Sequence, residues 1–165
     1  MKRLVLVRHA KSSWKNPGQA DFDRPLNQRG KRDAPVMAGR LAAQGIAPNR
    51  IVSSPARRAR KTAKAIAAAL DYPADEIELE EELYEAGVAT LLHLVRCLDD
   101  ADREVLLVGH NPGFTDLCNL LTGAAIANLP TCATATVEFD LASWALVGPA
   151  SGQLTRFDTP KDPAA

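Results

Sequence analysis

The sequence predicts an α/β domain, a three-layer α/β/α sandwich around a mainly parallel sheet. Short apolar runs alternate with longer helical segments, the order that lays helices on both faces of a parallel sheet. Two of those runs, "LVLV" at 4–7 and "VLLV" at 105–108, are continuously apolar, as strands covered on both faces are. The 165 residues are enough for one domain with a substantial core.

The first strand spans Leu4 to Val7. Residues 12–26 carry Pro17, Gly18 and Pro25 among polar groups and read as a long loop. Asn27 can cap a helix running to Gln44, with Val36, Met37, Leu41 and Ala42 as its apolar stripe. Pro35 should kink that helix or mark a restart, and Gly45 closes it. Ile51 and Val52 form a second strand, ended by Ser53-Ser54-Pro55. Residues 56–70 are Ala-rich and helical. Ile77 to Leu79 reads as a third strand and Thr90 to Leu98 as the next helix. Glu104 to Val108 is a strand stopping at "GHNPG", followed by a helix over Phe114 to Leu121. Thr134 to Phe139 and a segment within Ala145 to Phe157 are the last strands. The domain is expected to span 1–158, with a frayed tail over 159–165. There is no internal repeat.

Composition narrows the function. The chain has 20 Lys plus Arg and 20 Asp plus Glu, so no global field points to nucleic acid or membrane. Any anion site must be local. No apolar stretch approaches 18 residues, and Arg8 interrupts the only N-terminal candidate for a signal segment. Cys97, Cys118 and Cys132 are widely spaced and odd in number, which fits reduced thiols in a cytoplasmic protein.

In open α/β sheets, ligands bind beyond the carboxyl ends of the strands. Three strands here end in functional groups. These are Arg8-His9, Ser53-Ser54-Pro55 leading to Arg57 and Arg58, and His110. Two arginines and two imidazoles around one cleft describe a site for a compact dianion such as a phosphoryl group, because guanidinium forks match phosphate oxygens. The helix after Pro112 would add backbone N–H groups. His93, between leucines in a helix, reads as a structural or surface group rather than a catalyst. Arg57, Arg60, Lys61 and Lys64 read as a solvated helix face. No acid or thiol stands at ligand spacing beside His9 and His110, so no metal site is expected.

The segments "LVRHAKS", "SSPARRARKTA" and "LVGHNPG", in that order, resemble the signature segments of the histidine phosphatase superfamily, with its phosphoglycerate-mutase-like fold. The resemblance covers roughly Lys2 to Leu121. Within the superfamily it is closest to the short SixA-type phosphohistidine phosphatases, whose "RPL(T/N)xxG" segment is similar to "DRPLNQRGKRDA"; the long lid insertions of true mutases are absent. Two departures stand out: Ala10 where the family often has Gly, and Lys15 after Trp14 where mutases commonly have Asn.

The resemblance implies that His9 becomes phosphorylated and that Arg8 binds the phosphate. It also implies that Arg58, three residues after the proline, is the motif arginine rather than Arg57, that His110 is the second pocket histidine, and that Glu85, in "ELYEAG", is the best match to the proton donor that some SixA-type members lack; the alternative is that Glu85 caps or solvates the helix start near Gly87. Ser12 and Asn111 complete the expected substrate-binding set with Arg8, Arg58 and His110. The roles of Arg24 and Lys15 are not set by the pattern. Cationic surroundings should keep His9 neutral by lowering its pKa. No metal or organic cofactor is implied. The implied activity is hydrolysis of phosphohistidine on a protein partner. A small-molecule phosphomonoesterase, a mutase-like enzyme and a phospho-group binding module without turnover are the alternatives, and oligomeric state is left open.

Overall fold

The computed structural model describes residues 1–163. In chain order its main elements are β1 (Lys2–Arg8), α1 (Gln28–Ala43), β2 (Arg50–Ser53), α2 (Arg57–Ala69), β3 (Glu78–Leu79), α3 (Val88–Arg96), β4 (Glu104–Gly109), α4 (Gly113–Thr122), β5 (Thr134–Phe139) and β6 (Gln153–Asp158). The six strands form one sheet in the order β3-β2-β4-β1-β5-β6. β3, β2, β4 and β1 are mutually parallel, whereas β5 and β6 join antiparallel at one edge. The expected α/β sandwich is found, with the parallel strands carrying its centre.

Period-two alternation explains the three layers. Leu4 and Leu6 on β1, with Val105 and Leu107 on β4, face one core that also holds Leu91, Val95, Phe114, Leu117 and Leu121 of α3 and α4. Val5, Val7, Leu106 and Val108 face the other, packed on Ala38, Leu41, Ala59, Ala63 and Ile66 of α1 and α2. Both faces of the central strands are therefore dry, and each buried Leu or Val contributes about 1.5–3 kcal/mol of transfer free energy. β1 and β4 run in register from Leu4 opposite Val105 to Arg8 opposite Gly109, so His9 and His110 leave the sheet side by side.

Several boundaries differ from the sequence reading. α1 begins after Asn27, whose side chain accepts the Gly30 N–H at 2.8 Å, and it passes Pro35 without restarting. Pro35 and Lys31 both face solvent, so water can satisfy the carbonyl that the missing N–H leaves free. The buried stripe is Gly30, Ala34, Met37, Ala38 and Leu41, while Val36 is 51% exposed and Ala42 also faces out. β3 is only two residues long, and α3 starts and ends two residues earlier than expected. The segment after β6 is tied down as far as residue 162. Arg40 donates to the carbonyls of Thr159 and Asp162, which close a turn on each other. The last two residues of the expected frayed tail, 164 and 165, lie outside the described residues.

Candidate active site

The strand end that delivers His9 is fixed by backbone on both sides. The His9 N–H donates to Gly109 O at 3.0 Å, and the Cys132 N–H donates to the carbonyls of Arg8 and His9. The following loop is held as firmly. Buried Ala10 donates its N–H to Thr62 Oγ1 at 3.0 Å, and that hydroxyl donates to Arg58 O at 2.8 Å. Thr62 thus couples the residue after His9 to the backbone of Arg58. On the other side Gly30 lies against the loop so closely that a Cβ would sit 2.2 Å from Lys11 O, which explains a glycine inside α1.

His9 is buried, and its Nδ1 lies 2.7 Å from Ala10 O. A carbonyl can only accept, so Nδ1 carries the proton and Nε2 keeps its lone pair. Arg58 Nε donates to that Nε2 at 3.3 Å. Burial pushes the His9 pKa down to about 3, outweighing the Ala10 hydrogen bond, and the nearby His110, Arg58 and Arg8 push it further in the same direction. Burial is therefore the largest cause, ahead of the cations that the sequence suggested. His9 is a neutral imidazole with a defined tautomer.

Around Nε2 the cleft is cationic, with a volume of about 340 Å³. Arg8 leans on Leu129 O at 2.8 Å. Arg58 is buried and makes a forked contact with Asp21, through Nη1 to the backbone carbonyl at 2.7 Å and through Nη2 to Oδ2 at 3.0 Å. Asp21 Oδ2 also accepts from the Tyr84 hydroxyl at 2.6 Å, and Oδ1 lies 3.3 Å from Arg24 Nη1. Burial alone would raise the Asp21 carboxyl, but the Tyr84 and Arg58 hydrogen bonds outweigh it and hold the group below its ordinary value. Arg24, buried, donates to Ser12 Oγ and stacks its guanidinium 3.2 Å from the centre of the Trp14 ring.

His110 stands 5.0 Å from His9, ring centre to ring centre, with the Tyr84 ring edge-on at 5.4 Å. Its Nε2 is 2.7 Å from Ser54 Oγ, which also accepts the Ala56 N–H. Burial first, and then the Arg58 charge, lower the His110 pKa to about 4. Five buried side-chain N or O atoms among the described residues have no hydrogen-bond partner, and three of them, Arg8 Nε, Arg24 Nε and His110 Nδ1, belong to residues lining this cleft. Buried unpartnered nitrogen donors are costly unless an acceptor fills the space. A tetrahedral oxyanion is such an acceptor.

Arg8, His9, Ser12, Arg58, Glu85, His110 and Asn111 all line this one cleft. They are not equally available. Asn111 uses its amide oxygen on the Thr115 N–H and hydroxyl and its amide nitrogen on Asn128 and Leu129, so it anchors the start of α4. The N–H groups of Phe114 and Asp116 are also engaged, by His110 O and Pro112 O, so this helix start does not offer the array of free donors that the sequence suggests. Glu85 is exposed at the rim with a left-handed φ of 57° and makes no hydrogen bond among the described residues; the cap of α3 is Gly87, without a side-chain contact. Arg57 points into the adjoining groove, as does Lys15, and His93 is exposed elsewhere, 3.6 Å from Cys97 Sγ.

Asp21, Arg24, Tyr84, Ser54 and Thr62 are the contributors that the sequence reading left without a role. Among the described residues no group of three or more His, Cys, Asp or Glu side chains could hold a metal ion, and no helix is long and apolar enough to cross a membrane. The three cysteines are free, Cys118 and Cys132 buried and Cys97 exposed.

The sequence model of the histidine phosphatase superfamily, branch 1, matches residues 4–96. The chain belongs to this superfamily. An uncharacterized protein of Mycobacterium tuberculosis is 34% identical over 94% of this chain and 100% of its own. An uncharacterized chloroplastic protein of Arabidopsis thaliana is 33% identical over 93% of this chain and 75% of its own. Among solved structures, a protein of Agrobacterium tumefaciens assigned as the phosphohistidine phosphatase SixA superposes with a TM-score of 0.83. It is 31% identical, with 96% of this chain and 98% of that one covered. The fold is thus the phosphoglycerate-mutase-like fold of the superfamily, with SixA-type proteins as structural neighbours.

Proposed function

We propose that the chain is a phosphatase that hydrolyses phosphohistidine on a protein partner through a phosphorylated His9. The observation that carries this reading is the state of His9: Nδ1 bonded to Ala10 O leaves Nε2 unprotonated, and burial keeps the ring neutral. A binding module has no use for a lone pair held in this way. In the first step Nε2 forms a bond to phosphorus as the bond from phosphorus to the departing imidazole breaks, and that imidazole takes up a proton. In the second, water attacks phosphorus, the His9–phosphorus bond breaks, and inorganic phosphate leaves. Arg58 moves its Nε–H from His9 to a phosphoryl oxygen, Arg8 neutralises charge on the others, and the uncharged His110 ring donates a hydrogen bond to them, the kind of electrostatic contribution that usually dominates.

The likeness to SixA-type proteins supports the substrate class. So does the leaving group. Imidazole, with a reference pKa of about 6.5, departs far more readily than an alkoxide and needs little help from an acid. Glu85, exposed and unbonded on the rim, favours a second reading as a small-molecule phosphomonoesterase, in which it protonates an alkoxide. Assays on a phosphohistidine protein, 3-phosphoglycerate and p-nitrophenyl phosphate, each in excess EDTA, separate these. The proposal expects the phosphohistidine protein to show the higher kcat/KM, undiminished by chelator. Preference for 3-phosphoglycerate would establish the second reading, activity restored only by a divalent metal would overturn the mechanism, and no turnover would leave a binder.

A further inference from the structure

Beside the catalytic cleft lies an open groove of about 810 Å³, more than twice the 340 Å³ of the cleft. The two are continuous, because Lys11, Ser12 and Trp14 line both. Five cations, Lys11, Lys15, Arg29, Lys31 and Arg57, line the groove and no Asp or Glu does. In a chain of zero formal net charge this is a concentration of one sign at one place. Only Arg29 has a carboxylate partner among the described residues, Asp33 at 3.4 Å one helical turn away. The groove also receives the first turns of α1 and α2, where Arg29, Lys31 and Arg57 sit, and helix starts attract negative charge.

We infer that this groove docks an acidic segment adjoining the phosphorylated residue of a protein partner, an inference that rests on the substrate reading above. Its cations come from three separate chain segments, with Lys15, Lys31 and Arg57 exposed and Lys11 and Arg29 half-buried, rather than converging on a buried point. That arrangement suits an extended, flexible polyanion better than a second compact phosphate. Trp14, 72% exposed with one face on Arg24, offers its other face to an apolar side chain of the same segment.

Charges of this exposed kind act on encounter and on KM, and they are screened by salt. The triple variant Lys15→Glu/Lys31→Glu/Arg57→Glu tests the inference. At low ionic strength it should raise KM for an acidic-flanked phosphohistidine peptide by about tenfold or more at unchanged kcat. A neutral-flanked peptide and p-nitrophenyl phosphate should be turned over as by wild type, which also shows that the variant is folded. Equal KM for both peptides in wild type, or no change in the variant, would overturn the docking role. A second measurement stays informative if no phosphohistidine peptide is a substrate. A fluorescein-labelled, unphosphorylated Glu-rich decapeptide should bind wild type by anisotropy and lose affinity in the variant. Absence of that binding, or tighter binding of an oligonucleotide or a small bisphosphate than of the peptide, would overturn the inference whatever the substrate.

Discussion

The cleft and the groove beside it use the same side chains for opposite purposes. In the cleft, Arg24 and Arg58 are buried, bonded to Asp21 and held in place before any substrate arrives. In the groove, Lys15, Lys31 and Arg57 are exposed and unpaired among the described residues. Adjacent residues on α2 fall on opposite sides of this divide, Arg58 inward and Arg57 outward. Burial is what converts a charge into a catalytic instrument: it strengthens each contact and fixes its direction, whereas an exposed charge is diluted by water and salt.

The largest expected effect lies on the rim between the two regions. If Glu85 delivers the leaving-group proton, Glu85→Gln should slow alkyl phosphates by about 10²–10⁴-fold and leave p-nitrophenyl phosphate and phosphohistidine nearly untouched. A modest, equal loss across all three would remove Glu85 from the chemistry and leave the proton donor unassigned. Next come the paired arginines. Arg58→Ala should cost about 2.7–4 kcal/mol of transition-state stabilisation, and Arg57→Ala no more than about 1 kcal/mol on p-nitrophenyl phosphate. The reverse ranking would break the distinction between cleft and groove.

How much of this was readable in the sequence depended on what kind of information fixes each residue. Arg8, His9, Arg58 and His110 stand at or just beyond strand ends, and a parallel sheet gathers strand ends on one rim however far apart they are in the chain. Strand identity followed from the continuous apolar runs at 4–7 and 105–108. The partners that orient those residues leave no such mark. Ser54 meets His110 across 56 positions, Asp21 meets Arg58 across 37, and Tyr84 meets Asp21 across 63, contacts that loop geometry alone creates. Asn111 misled for a related reason: its place beside His110 suggested substrate, but its amide is consumed at the start of α4. The Val36 stripe failed because Pro35 and Val36 sit on the outer face of a helix whose inner face is built from small residues and Met37.

The smallest effect concerns pH. With His9 and His110 pKa values lowered to about 3 and about 4, neither ring should titrate between pH 8 and pH 5, which histidine-selective NMR would show directly. The unfolded chain takes up those protons near pH 6.5, so the two rings contribute a stability that is complete above that pH and declines as pH falls toward 3. An ordinary histidine titration near 6.5 for either ring would mean that the cleft is wetter than its burial implies.

On the proposed mechanism, Nε2 of His9 takes the phosphoryl group. Rapid quenching at alkaline pH during turnover of ³²P-labelled substrate, followed by peptide mapping and ³¹P NMR of the trapped intermediate, tests it directly. One labelled site is expected, His9, phosphorylated on Nε2 and absent from His9→Ala. Label on Nδ1 of His9, on His110, on Ser12 or Ser13, or label that persists in His9→Ala, would contradict it.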